Sequence, residues 1–168
     1  MPVLYILRGA PGTGKTALAA ELHKTLCCPW FEFGWIPEFR NLNPHTEISY
    51  EDEVALSTEN LILVSKNYFA HGFETVIVSD LEDERIPAFA DAFHGIADVQ
   101  ILTLDCDDET RTNRILTRDN GNEYRDTAAA AKIAKRIREI PYDGELRLDS
   151  DKMTLAELCK SVLLAQNR

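Results

Sequence analysis

Apolar runs alternate with apolar periodicities along the chain. Val3-Leu4-Tyr5-Ile6-Leu7 is an unbroken run of β-formers, as expected of a strand covered on both faces. Leu18, Leu22 and Leu26 then recur at helical spacing, predicting a helix from Lys15 to about Leu26 that stops at Cys27-Cys28 ahead of Pro29. Trp30-Phe31-Glu32-Phe33 is a second strand candidate. Ser49-Tyr50-Glu51-Asp52 resembles a cap, and Leu61, Val64 and Tyr68 share one face of a helix running to about His71, where Gly72 ends it. Thr75-Val76-Ile77-Val78 predicts a third buried strand, closed by Ser79-Asp80.

The second half repeats the alternation. Ile86, Phe89 and Phe93 mark a short helix opened by Pro87 and stopped by Gly95, and Val99 to Leu104 forms a fourth strand. Asp107-Asp108 caps the next helix, and Asp126 to about Ile140 reads as another with Ile133, Ile137 and Ile140 as its buried stripe. Leu146 to Asp149 is the last strand, and Thr154-Leu155-Ala156-Glu157 is a capping box for a final helix striped by Leu155, Leu158 and Val162. Five strands alternating with helices predict an α/β fold, a five-stranded parallel sheet between two helical layers, with ligands at the carboxyl ends of the strands. At 168 residues the chain is expected to be a single domain, 1–168, with no internal repeat or linker.

Between the first strand and its helix lies Gly9-Ala10-Pro11-Gly12-Thr13-Gly14-Lys15-Thr16, which fits G-x-x-x-x-G-K-[ST] at every fixed position. Glycines without a Cβ let the chain turn successive amides inward on a phosphate, and the helix N-terminus behind them adds partial positive charge. The stretch Gly9 to Ala17 is therefore the candidate phosphate-binding segment. Lys15 would carry an ammonium to the β- and γ-phosphates, and the Thr16 hydroxyl would take one position on Mg²⁺. Gly12 to Ala17 also reads as G-x-G-x-x-A, the dinucleotide fingerprint, with Glu32 near the distance of its ribose acid. Against that reading, Lys15-Thr16 would have no role and Gly12 follows the strand too late.

Charge narrows the function class. The net charge of -10 opposes long-range attraction to a polyanion, so nucleic acid is not an expected partner. No apolar run approaches the roughly 18 residues of a membrane span, and the first strand is too short for a signal peptide. The chain reads as soluble and cytoplasmic. Cys27, Cys28, Cys106 and Cys159 lack metal-site spacing and read as reduced thiols; the four histidines stand singly.

Other candidates stand outside the glycine loop. Glu32 interrupts an aromatic run, costly unless it points to water or has a task. Asp80 tips a buried strand, the pattern of a Walker B acid holding Mg²⁺. Residues 34–49 form a loop broken by Pro37, Asn41, Asn43 and Pro44 yet carrying Trp35, Ile36, Phe39 and Arg40: either a surface loop pinned by its aromatics or an acceptor lid in which Arg40 or Glu38 meets substrate. Arg111, Arg114 and Arg118 share one helix face and suit phosphate contact, Arg111 and Arg114 toward the nucleotide and Arg114 or Arg118 toward the transition state. Pairing with Asp107, Asp108, Glu109 and Asp119 is the competing reading. With Asp119 to Arg125 they make 111–126 a candidate mobile cover. Arg85 and the basic face Lys132, Lys135, Arg136 and Arg138 read as solvated.

On these residues the sequence resembles the small P-loop kinases of the shikimate kinase, gluconate kinase and chloramphenicol phosphotransferase group, within the AAA-type P-loop set. The resemblance implies a three-layer α/β/α P-loop NTPase fold with strand order 2-3-1-4-5, ATP with Mg²⁺, and a small-molecule acceptor opposite the nucleotide under a lid. The chain departs from it in having Glu32 where relatives often carry Asp, and in spacing Asp80 to Arg85 one residue beyond D-x-x-x-R. No N-K-x-D motif occurs. The expected activity is transfer of the ATP γ-phosphoryl group to a hydroxyl, with Lys15 and the loop amides neutralising charge, Thr16 and Asp80 on Mg²⁺, Arg114 or Arg118 at the transition state and Glu32 receiving or orienting the acceptor proton. The alternatives are an accessory ATPase or nucleotide-dependent switch docking a protein through Trp35, Ile36 and Phe39, or an acceptor on a larger molecule.

Overall fold

The structure, a computed structural model, describes residues 1–42, 47–119 and 123–166. Asn43 and Pro44 of the proposed acceptor loop, and Asn120-Gly121-Asn122 of the proposed cover, lie outside the described residues.

Five strands, β1 (Val3–Arg8), β2 (Trp30–Glu32), β3 (Thr75–Ser79), β4 (Asp98–Asp105) and β5 (Leu146–Asp149), form one all-parallel sheet in the order β2-β3-β1-β4-β5. Among the described residues six α-helices connect and cover it: α1 (Lys15–Leu26), α2 (Tyr50–Ala70), α3 (Ile86–Asp91), α4 (Asp108–Thr117), α5 (Thr127–Glu139) and α6 (Leu155–Gln166). This is a three-layer α/β/α arrangement of the P-loop kinase kind.

The pleat explains the unbroken apolar run of β1. Val3, Tyr5 and Leu7 join a core with Leu18, Leu22, Leu158 and Val162 of α1 and α6, while Leu4 and Ile6 join a second core with Leu61, Ile86, Phe89 and Phe93. Alternate side chains of one strand thus feed both layers, and both need large apolar groups. Each such side chain, removed from water, contributes about 1.5–3 kcal/mol. The helices start where short polar side chains can cap them. Ser49 accepts from the Asp52 amide at 3.0 Å, Asp107 from Thr110 at 2.7 Å and Asp126 from Ala129 at 2.8 Å. In the capping box of α6 the Thr154 amide donates to Glu157 at 2.8 Å.

Three local expectations fail, one of them at Leu155, which is exposed while Leu158, Cys159 and Val162 form the buried stripe of α6. Phe33 leaves β2 and enters a 3₁₀ turn, Phe33–Trp35. The buried stripe of α5 is Ala130, Ala134 and Ile137, with Ile133 39% and Ile140 48% exposed. Alanine allows close approach, so the small residues face the body and the larger isoleucines lie to the side. Cys28, Cys106 and Cys159 are buried, Cys27 is exposed and all four are free thiols. Among the described residues no helix is long and apolar enough to cross a membrane.

Candidate active site

The centre of the sheet sets the site. β1 delivers Arg8 to the strand end, and the chain then runs through Gly9 to Gly14 into the first turn of α1. A Cβ on Gly9 would lie 2.6 Å from the Thr13 hydroxyl and 2.7 Å from the Leu104 carbonyl oxygen, so the first glycine is required by close packing. At Gly12 both backbone and space demand glycine: φ is +86°, and a Cβ would meet Ile115 Cγ1 at 2.9 Å and the Arg111 carbonyl at 3.0 Å. The loop is therefore seated on α4. Gly12→Ala is expected to destabilise the fold by about 2 kcal/mol, from left-handed strain plus overpacking. A melting curve should show Tm lowered by roughly 4–8 °C; an unchanged Tm would contradict the seating.

Inside the loop, the Thr13 hydroxyl donates to the Ala10 carbonyl at 2.9 Å. The Lys15 ammonium folds back over the loop, donating to the Gly9 carbonyl at 2.8 Å and the Ala10 carbonyl at 3.3 Å, and lies 3.5 Å from Asp80 Oδ1. Its side chain is only 10% exposed. A buried cation satisfied by neutral carbonyls and one partly exposed carboxylate is well suited to take a stronger anion.

Strand register brings the two acids together. Glu32 pairs with Ser79 across β2 and β3, so Asp80, the next residue, emerges beside it. Asp80 holds φ +65°, left-handed for a residue with a side chain, a conformation that costs energy and concentrates at functional sites. The Thr16 hydroxyl donates to Glu32 Oε1 at 3.0 Å. Burial pushes the Glu32 pKa up, the Asp80 charge adds to the rise, and the Thr16 hydroxyl and Lys15 oppose it. Thr16, Glu32 and Asp80 are hard oxygen donors, and two carboxylates with a hydroxyl fit Mg²⁺, which draws its other ligands from water and phosphate. Among the described residues no three His, Cys, Asp or Glu side chains gather as a self-sufficient metal cluster.

Beside the loop opens a cavity of about 870 Å³ reached by Gly9, Pro11, Lys15 and Asp80. One stripe of α2, Glu51, Ala55, Thr58, Glu59 and Ile62, forms a wall. Leu81, Ala88, Phe89, Ile133 and Ile137 give it an apolar lining, which is why Ile133 is not packed against the body. Glu32 does not line it; Asp80 does.

Several basic residues read as solvated belong here or nearby. Arg85 lines the cavity and pairs with Glu51 at 2.5 Å and Glu82 at 3.0 Å. Arg136 lines it too, paired with Glu84. Arg138 binds Asp105, Asp108 and the Cys106 carbonyl, tying α5 to the end of β4. Arg8, which no motif or periodicity points to, is 2% exposed and lines the cavity. Its signal was available: a cation closing a strand otherwise apolar throughout.

The three arginines of α4 part company. Arg111 is 1% exposed, with Nη1 on Asp108 at 2.8 Å and its buried Nε unpartnered; it braces Gly12 from behind and offers no solvent-facing group to a nucleotide. Arg114 holds the turn after β5, donating to the Ser150 hydroxyl at 2.9 Å and carbonyl at 2.8 Å. Arg118 donates to the Tyr124 carbonyl at 2.6 Å. Neither Arg114 nor Arg118 lines the cavity. A common helix face does not give a common partner, because the neighbours facing α4 differ at each turn. In the 34–49 loop, Arg40 is held by Glu53 at 2.5 Å and Glu38 at 2.8 Å, and Glu53 also accepts the Phe39 and Arg40 amides. Trp35 packs on Trp30 with ring centroids 4.7 Å apart, and Ile36 joins the second core, so the suggested protein-docking residues are partly spent internally.

No protein-family model and no curated protein matches the sequence. Solved structures do match in shape. A sugar kinase from a Janibacter species superposes with a TM-score of 0.70 at 18% identity, over 98% of this chain and 94% of that one. A gluconokinase from Sinorhizobium meliloti gives 0.62 at 16%, over 99% and 95%. YorR from Bacillus subtilis, in complex with phosphorylated GDP, gives 0.60 at 18%, over 98% and 95%. At these identities the likeness establishes architecture: end to end, this chain has the three-layer P-loop kinase fold.

Proposed function

We propose that the chain is an ATP-dependent phosphotransferase that moves the γ-phosphoryl group to a hydroxyl of a small acceptor held in the 870 Å³ cavity. One observation carries the reading: the Lys15 ammonium is shared between the glycine loop's own carbonyls and the wall of that cavity, where a transferring group would pass from one side to the other. The names of the similar structures, two kinases and one nucleotide complex, support it.

The loop amides between Gly9 and Ala17, Pro11 excepted, hold the polyphosphate, and Lys15 exchanges the Gly9 and Ala10 carbonyls for phosphate oxygens. Thr16 and Glu32 would hold Mg²⁺ directly and Asp80 only through a water, which leaves an Asp80 oxygen free; the ion supplies charge neutralisation when bound. Asp80, the carboxylate on the cavity wall, receives the acceptor proton, while Glu32 positions Thr16; this reverses the roles expected from sequence. Arg114 or Arg118 stabilises the transferring group by giving up its present carbonyl partner. ATP as donor and reduced cysteines suit a cytoplasmic enzyme.

Labelled-phosphate transfer from ATP into a panel of small hydroxyl compounds tests the activity; ATP hydrolysis without transfer, stimulated by a protein, would favour the accessory ATPase. The division of roles has its own test. Asp80→Asn should lower kcat by about 10²-fold with little change in acceptor KM. Glu32→Gln should raise the Mg²⁺ concentration needed for half-maximal rate and leave the rate at saturating Mg²⁺ within a few-fold. The opposite pattern would restore Glu32 as the base.

A further inference from the structure

The charges around the acceptor cavity are unevenly spent. Its walls carry six carboxylates, Glu51, Glu59, Asp80, Glu82, Asp83 and Glu84, against four cations, Arg8, Lys15, Arg85 and Arg136. Each cation has a carboxylate within ion-pair distance. Arg8 is locked to Asp83 at 2.5 Å and to Glu145 at 2.9 Å, Lys15 faces Asp80 at 3.5 Å, Arg85 is bracketed by Glu51 and Glu82, and Arg136 meets Glu84. Glu59 differs. It lies on the α2 stripe beside Ala55 and Ile62, and among the described residues no cation is within ion-pair distance of it.

We infer that the acceptor is a small hydroxylated amine, bound with its ammonium at Glu59 and its carbon skeleton over the apolar lining, rather than a sugar acid. The inference rests on the phosphotransferase reading and adds the substrate class. A carboxylated acceptor would find no unpaired cation and would sit near an unpaired carboxylate and the nucleotide's phosphates. Freeing Arg85 or Arg136 would not help, because the released Glu51, Glu82 or Glu84 stays in the same wall and the local charge sum is unchanged. An ammonium needs no existing pair broken, and it is drawn toward a chain of net charge -10. The side chains of Glu82, Glu84 and Asp80, 35%, 55% and 49% exposed, leave oxygens to accept from the acceptor's hydroxyls.

Three acceptor sets matched in carbon skeleton test this: amino sugars and aminocyclitols, their parent sugars and cyclitols, and the corresponding sugar acids. Phosphate transfer is measured for each, together with the Tm shift each gives in the presence of Mg²⁺ and a non-hydrolysable ATP analogue, a readout that needs no turnover. The best aminated compound should exceed its carboxylated counterpart at least tenfold in kcat/KM or in apparent affinity, and Glu59→Gln should narrow that ratio several-fold. An equal or better carboxylated compound, binding by none of the three sets, or a ratio untouched by Glu59→Gln overturns the inference. Failure of the ATP analogue to bind would instead remove the phosphotransferase reading beneath it.

Discussion

Lys15→Met is expected to lower phosphoryl transfer by about 10³-fold, the scale of losing a pre-positioned charge from a site that excludes water. Methionine keeps the unbranched stem, which lies in a side chain only 10% exposed, and deletes the ammonium alone. In the resting protein that ammonium donates to Gly9 and Ala10 carbonyls at 2.8 and 3.3 Å, and Asp80 is 3.5 Å away. Asp80 is about half exposed, so its loss of partner contributes little to stability, under about 1 kcal/mol. Fold and function should therefore separate: Tm within roughly 2–4 °C of the parent, kcat collapsed. Steady-state kinetics beside a melting curve check both halves. A variant that folds and still transfers phosphate would show that Lys15 is a structural clamp on the loop.

The parts of this molecule legible in its sequence are those fixed by short-range pattern. Val3 to Leu7 and Thr75 to Val78 announce central strands because both faces of each are covered, so no polar residue interrupts them. The glycine loop is legible because its motif is compact in sequence and part of its demand is local, φ +86° at Gly12 and the contact of Gly9 with Thr13, although Leu104 at Gly9 and Ile115 at Gly12 add distant contacts that the motif does not announce. What escaped depends on chain segments far apart. Arg85 and Arg136 read as solvated because a carboxylate 34 positions before one and another 52 positions before the other are invisible to periodicity. Arg111, Arg114 and Arg118 share a face by spacing, yet Asp108, Ser150 and Tyr124 claim them separately. On α5 size decides. Hydrophobicity favours Ile133 and Ile140 over Ala130 and Ala134, whereas close approach selects the alanines. The two acids, Glu32 and Asp80, were legible as residue types, but their adjacency comes from the pairing of β2 with β3, and with it the question of which one faces the acceptor.

Arg8→Met should be the most destabilising single change near the site, about 3–5 kcal/mol, because it leaves the Asp83 carboxylate without its cation and Glu145 with Arg147 alone. The Arg8 guanidinium makes two bonds to Asp83 at 2.5 and 3.0 Å, one to Glu145 at 2.9 Å and one to the Ile140 carbonyl at 2.7 Å, and lies 4.3 Å from the centre of the Tyr142 ring. The Asp83 and Glu145 side chains are 12% and 3% exposed, so water cannot replace the lost donors. At this chain length the cost corresponds to a Tm drop of roughly 6–20 °C. Its pH dependence separates charge from packing. Burial works to raise the Glu145 pKa, but the Thr103 hydroxyl, Arg147 and Arg8 outweigh it and hold the carboxyl below its ordinary value. A carboxylate depressed on folding adds stability above its unfolded pKa, near 4.3, and loses it as pH falls through the lower folded value. In Arg8→Met the depression weakens while burial continues to oppose ionisation, so protonation relieves the variant and costs the parent. The stability difference between them, measured by urea unfolding, should be largest near pH 7 and shrink below about pH 4. A difference that stayed constant across that range would mean that Arg8 acts through its stem and its stack on Tyr142 rather than through its ion pairs.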